Sequence, residues 1–131
     1  MIITAMLRLR ALLEEAWAPV ADNAILLHPD DKRSFEVALD TAEADGKVVV
    51  RYYHPQLLQV GAMGRFLCNV DVSSRSAENA VMQADQLLAT IGGSSARDPT
   101  GAIQPAAVHI RETSYQRVAV TFTLLSDTIS A

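Results

Sequence analysis

The sequence predicts an α+β fold, a two-layer sandwich in which two main helices cover a mostly antiparallel sheet of about four to six strands. Three observations carry that expectation. Two segments, about 4–18 and 76–91, repeat apolar residues at helical spacing. Several other runs alternate apolar and polar residues, as half-buried strands do. The last long run, Gln116 to Leu125, follows another alternating run after only a short turn, which makes a terminal hairpin. All 131 residues fit a single domain, and with 50% hydrophobic residues the chain fills a core without staples.

In the first helix Met6, Leu9, Leu13 and Trp17 share one face, Arg10 and Glu14 stand one turn apart on the other, and Pro19 stops it. The stretch Met1 to Val20 is not expected to be a signal peptide. Arg8, Arg10, Glu14 and Glu15 interrupt it too often for a membrane span. Ala24 to Leu27 is a short apolar run between Asn23 and His28-Pro29, and reads as a strand. From Asp30 to Asp45 the pattern supports two readings. Phe35, Val37 and Leu39 alternate like an edge strand, and Phe35 and Leu39 also suit a helical turn; Asp30 could cap a short helix there. Ala44-Asp45-Gly46 closes the segment as a turn.

Val48, Val49 and Val50 followed by Tyr52 and Tyr53 suit a central strand buried on both faces. Arg65 to Val72 sets Phe66, Cys68, Val70 and Val72 against Leu67, Asn69 and Asp71, a half-buried strand. Ser74 or Ser76 caps the second helix, whose face is Ala77, Val81, Ala84, Leu88 and Ile91 with Leu87, and Gly92-Gly93 ends it. Ser94 to Pro105 is loop. Ala106, Val108 and Ile110 then alternate with Ala107, His109 and Arg111, Glu112-Thr113-Ser114 turns, and Val118, Val120, Phe122 and Leu124 point toward the helices.

No arrangement of residues carries recognisable catalysis. His28, His54 and His109 have no second ligand at metal spacing on a shared element, and His28 with Asp30 and Asp31 reads as a polar turn. Cys68 lies on an apolar strand face, where cysteine behaves as a small hydrophobe. Gly61-x-x-Gly64 and Gly92-Gly93 do not precede a helix as a phosphate loop requires. Asp40, Glu43 and Asp45 read as a solvated turn, and no serine sits in a nucleophile elbow. The expectation is therefore a protein that is not an enzyme and takes no cofactor. With a formal charge of −4 and scattered arginines, nucleic acid is not expected as its main ligand.

Surface for partners is the positive expectation. The connection His54 to Gly64 is longer than a usual hairpin loop and carries Pro55, Leu57, Leu58, Val60 and Met63, with Arg65 just beyond it. The loop Gly93 to Pro105, with Arg97 and Asp98, is the second candidate contact.

The element order resembles that of the tail terminator and tail-completion proteins of long-tailed bacteriophages. The corresponding pieces are Met6 to Trp17, Val48 to Tyr53, Phe66 to Val72, Ala77 to Ile91 and Tyr115 to Leu125. The closing SYQRVAVTFTLLSD and the run GRFLCNVDVSSRSAENAVMQADQLLATIGG look like the family's last strand and its strand-then-helix segment. The resemblance covers most of the chain outside Pro29 to Asp45. It implies a structural subunit of a homo-oligomeric ring, typically hexameric. Such a ring caps the tail tube, stops its polymerisation and joins the tail to the neck and head-completion proteins; in contractile tails it also meets the sheath. Its place would be the virion tail, and the host cytoplasm during assembly. No catalytic residue carries over. The alternative is a small α+β module, monomeric or dimeric, that binds a ligand or a protein without catalysis.

Overall fold

The computed structural model of the chain describes residues 2–17, 24–32, 34–59, 63–95 and 106–127. Helix α1 spans Ile2–Trp17, strand β1 Ala24–Leu27, α2 Phe35–Asp45, β2 Val48–Tyr52 and β3 Gln56–Gln59. Strand β4 spans Met63–Ser74, α3 Ala77–Ser95, β5 Ala106–Arg111 and β6 Gln116–Asp127. The strands form one mixed sheet in the order β1-β2-β4-β6-β5, with β3 paired to β4 off that path. The α+β class and the sheet of six mostly antiparallel strands are as expected, and α2 is a third helix beside the two main ones.

The centre of the sheet is an antiparallel ladder in which every residue of β4 from Met63 to Ser74 faces one of β6 from Asp127 to Gln116. Alternation sends Cys68, Val70 and Val72 of β4 and Val118, Val120, Phe122 and Leu124 of β6 to the same side. There they meet Leu9 and Leu13 of α1 and Ala80, Ala84, Leu87 and Ile91 of α3. The buried stripe of α3 is thus Ala80, Gln83, Ala84, Leu87 and Ile91, rotated from the stripe expected, and Val81 is 39% exposed. The helix rests on the small side chains of Ala80 and Ala84. Helix α3 also does not end at Ile91, because Gly92 and Gly93 both adopt helical backbone and the helix runs to Ser95. Glycine permits a left-handed stop without compelling one. At its start Ser76 is the cap, its Oγ accepting from the Asn79 N–H (3.4 Å).

The segment with two readings is helical. Ser34, not Asp30, caps α2, its side chain accepting from the Val37 N–H. Gly46, at φ 69°, ends it. The Gly46 N–H reaches the Glu43 carbonyl (3.3 Å) and the Lys47 N–H the Ala42 carbonyl (2.8 Å), the paired bonds of a Schellman stop. The helix buries Ala38, Leu39 and Ala42 against Leu27 and Val49, with Ile25, Phe35 and Tyr115 around them. This is the opposite side of the sheet from α1 and α3, so Val48 and Val50 enter one core and Val49 the other. The expected two-faced burial of β2 follows directly. Strand β1 runs parallel to β2, and α2 is the crossover that parallel neighbours require.

The expected loop from His54 is mostly strand. Both β2 and β3 run antiparallel to β4 along the same edge, so together they form one interrupted strand. Tyr52 faces Val70 and Gln56 faces Leu67, so one extra residue is accommodated between them. Pro55, which has no N–H to give the ladder, lies in that bulge. A second slip of one residue follows between Leu57 and Gln59. The expected contact residue Val60 and its neighbours 61 and 62 lie outside the described residues.

Two substitutions test this architecture. Gly46→Ala puts a Cβ on a left-handed backbone and is expected to cost about 1–2 kcal/mol. Leu39→Ala, emptying the second core, is expected to cost about 2–5 kcal/mol. Urea unfolding monitored by circular dichroism measures both.

Candidate functional site

The expected contact residues separate into different environments. Pro55 is buried, Leu57 is half-buried and faces Phe66 across the ladder, and Leu58 is 49% exposed. The backbone of Met63 pairs with Asp127 at the end of the ladder. Arg65 is half-buried, and its guanidinium donates to Thr123 Oγ1 (3.3 Å). Val60, Arg97 and Asp98 lie outside the described residues. Among the described side chains of this set, Leu58 is the large apolar one that stands in solvent.

Two clusters that no local pattern announced arise around α2. In the first, Glu36, Asp40 and Glu43 stand on successive turns and converge on Arg75, just after β4. The Arg75 guanidinium meets Asp40 at 2.8 Å, Glu36 at 3.2 Å and Glu43 at 3.4 Å, and donates to the Ser114 carbonyl (3.0 Å). Its pKa is raised above the usual value, first by the hydrogen bond to Asp40. Arg75 thereby ties α2 to the β5–β6 turn. Asn79 reaches back to the carbonyls of Gly46 and Lys47 (3.4 Å each), closing the same corner from α3. The carboxylates expected as a solvated turn are a helix-anchoring stripe, with Asp45 exposed at its end.

The second cluster is a cleft of about 340 Å³ beyond the carboxyl ends of the parallel strands β1 and β2. Its lining includes His28, Asp31, Arg51, Tyr52, Tyr53 and His54. Pro29 sits in a turn closed by the Asp31 N–H on the His28 carbonyl (3.0 Å), which brings His28 back over β2. There His28 Nδ1 is hydrogen-bonded to the Tyr52 hydroxyl, with the rings edge to face. Burial raises the Tyr52 pKa. His54 Nε2 lies 3.7 Å from Asp30. The Tyr53 hydroxyl donates to Asp71 (2.7 Å), and its pKa is raised first by burial and then by that bond. Asp71 in turn faces Arg117 (3.5 Å), which pairs with Glu112 (3.1 Å). Arg51 lies over the Phe35 ring at 4.1 Å. The cleft thus presents imidazole, phenol and guanidinium groups held by their own partners.

Among the described residues no group of three or more His, Cys, Asp or Glu could hold a metal ion, and no helix is long and apolar enough to cross a membrane. Cys68 is fully buried in the main core, and burial pushes its thiol up to about 12. Comparison with protein-family models and with curated proteins finds no match for this chain.

The Cys68 environment predicts a pH dependence. The folded thiol resists ionisation, so its contribution to stability is intact below the ordinary value of 9.0 and is lost as pH rises toward about 12. Denaturant titrations across that window should show stability falling with pH, and Cys68→Ala should flatten the fall. At about pH 8 the native protein should leave thiol reagents unreacted, while the unfolded chain reacts fully.

Proposed function

We propose that this chain is a structural subunit of a bacteriophage tail that assembles head-to-tail into a ring. In this reading, typically as a hexamer, the ring caps the tail tube, stops its polymerisation and joins the tail to the neck and head-completion proteins. It meets the sheath where the tail is contractile. It acts without catalysis, in the virion tail and, during assembly, in the host cytoplasm. The reading starts from the family resemblance of the sequence, and one structural observation supports it: the β4–β6 ladder carries unlike surfaces at its two ends. Near the Met63–Asp127 end, Leu58 stands exposed at the register slip of strand β3. At the Ser74–Gln116 end, α2 presents Val37, 62% exposed, among Glu36, Asp40 and Thr41. A heterologous ring contact joins two different patches of the same chain, and this separation supplies two.

Electron microscopy of the purified protein should show closed rings. Leu58→Asp should abolish them while leaving the circular dichroism spectrum and melting temperature unchanged. Leu57→Asp, placed against Phe66, should lower the melting temperature as well. Absence of rings both in solution and on tail tubes would count against the reading.

A small-ligand-binding module is the second reading, favoured by the cleft at His28 and Tyr52. Ligand sites in folds with parallel strands lie outside the carboxyl ends of those strands, and this cleft lies there. A saturable rise in melting temperature with a small molecule, lost in His28→Ala, is the result this reading requires.

A further inference from the structure

Strand β5 pairs with β6 in unbroken register from Ala106–Thr121 to Arg111–Gln116. It is the edge of the sheet, and among the described residues no strand pairs with its outer side. Apart from Arg111 at its end, the devices that usually blunt such an edge are missing from it. It has six residues, no proline and no bulge, and all its side chains are exposed except Ile110, which is half-buried. Val108 is 60% exposed. A largely apolar edge in unbroken register is a template for another strand.

The direction of its backbone groups follows from the turn. The Glu112 N–H donates to the Tyr115 carbonyl (2.9 Å), so the Glu112–Tyr115 pair is a hydrogen-bonded one. In an antiparallel ladder hydrogen-bonded and non-hydrogen-bonded pairs alternate. Ile110, Val108 and Ala106 therefore direct their N–H and C=O groups to β6. Ala107, His109 and Arg111 direct theirs outward.

We infer that β5 pairs antiparallel with β5 of a second copy of this chain, about a two-fold axis through Val108. In that register Ala107 and His109 of one chain exchange hydrogen bonds with His109 and Ala107 of the other, using the outward groups. Val108 meets its own counterpart in a non-hydrogen-bonded pair, where side chains approach most closely. Ala106 and Ile110 meet crosswise on the same face. The two Arg111 side chains lie at opposite ends of the paired segment, so like charges are not opposed. The strand is thus complementary to itself in backbone polarity, apolar surface and charge, which is why a second copy is the occupant. The contact is isologous, closes at two chains and uses neither surface of the ring reading. It stands if no ring forms, and the ring reading stands if it fails.

His109→Pro tests it selectively. Proline there deletes an outward N–H and leaves every backbone bond to β6 in place. The exposed side-chain bond from His109 Nε2 to Gln116 Oε1 (3.0 Å) goes too, and His109→Ala, which loses only that bond, is the control that should still associate. Light scattering over a concentration series should show the Leu58→Asp chain, in which ring contacts are blocked, as pairs of chains. Adding His109→Pro to that chain should weaken association at least about tenfold, with the circular dichroism spectrum retained. In parallel, Val108→Cys should oxidise to a covalent dimer, since the Cα atoms of a non-hydrogen-bonded pair lie about 4.5 Å apart, within disulfide range. The unmodified protein, with Cys68 buried, should not cross-link. Should His109→Pro fail to fold, the cross-linking result decides alone. Three outcomes overturn the inference: a monomer at every concentration, association unaffected by His109→Pro in a folded variant, or no cross-link from Val108→Cys. Loss of association in His109→Pro without that cross-link would mean that β5 meets a different strand.

Discussion

Twelve consecutive residue pairs join β4 to β6, and the other elements are arranged around that ladder. It sets two faces by simple alternation. One side, from Cys68 to Val72 and from Val118 to Leu124, is apolar enough to seat α1 and α3. The other carries Asn69, Asp71, Ser73, Arg117, Thr121 and Thr123, whose side chains are largely satisfied across strands, as in Thr121 to Asn69 (3.2 Å). A polar second face cannot hold a full helical layer. The helix that does dock there, α2, does so where β1 and β2 extend the sheet with Ile25, Leu27 and Val49.

The position of α2 gives rise to both clusters beside it. A parallel connection must cross the sheet face, and the crossing helix delivers Glu36, Asp40 and Glu43 to Arg75, between β4 and α3. Parallel pairing also aligns the carboxyl ends of β1 and β2, which gathers His28, Tyr52, Tyr53 and His54 in one cleft. The corner is braced from three sides, by Arg75, by Asn79 and by the Gly46 stop. Exposed ion pairs of this type each stabilise little. Their effect here is to hold one short helix in one place.

Where residues announced their environment through period alone, the sequence was readable. The alternation of Phe66 to Val72 and Val118 to Leu124, the i, i+4 spacing of Leu9 and Leu13, and the triple valine of β2 all led to the correct elements. Two elements were obscured for local reasons. Phe35, Val37 and Leu39 alternate like a strand, although Ser34 and Gly46 bracket a helix of one stripe of carboxylates and one of alanines. Gln56 to Gln59 lacks β-branched residues, follows one register slip and contains another, so no period survives in it. The cleft was hidden for a different reason. His28 and Tyr52 are partners only because β1 and β2 run parallel, and a pairing between distant segments leaves no mark on the residues near either one.

The two slips before and within β3 also bear on how far strand pairing could spread from this molecule. A bulge strengthens the local twist and interrupts the row of donors and acceptors that a neighbour would read. Strand β3 carries this interruption, and β1 offers only four half-buried or buried residues. The regular edge is β5. Among the described strands, one smooth rim beside others that are kinked or short leaves a single port for sheet extension. Such a molecule can be filled once and then stops, which separates a finite assembly from a fibre.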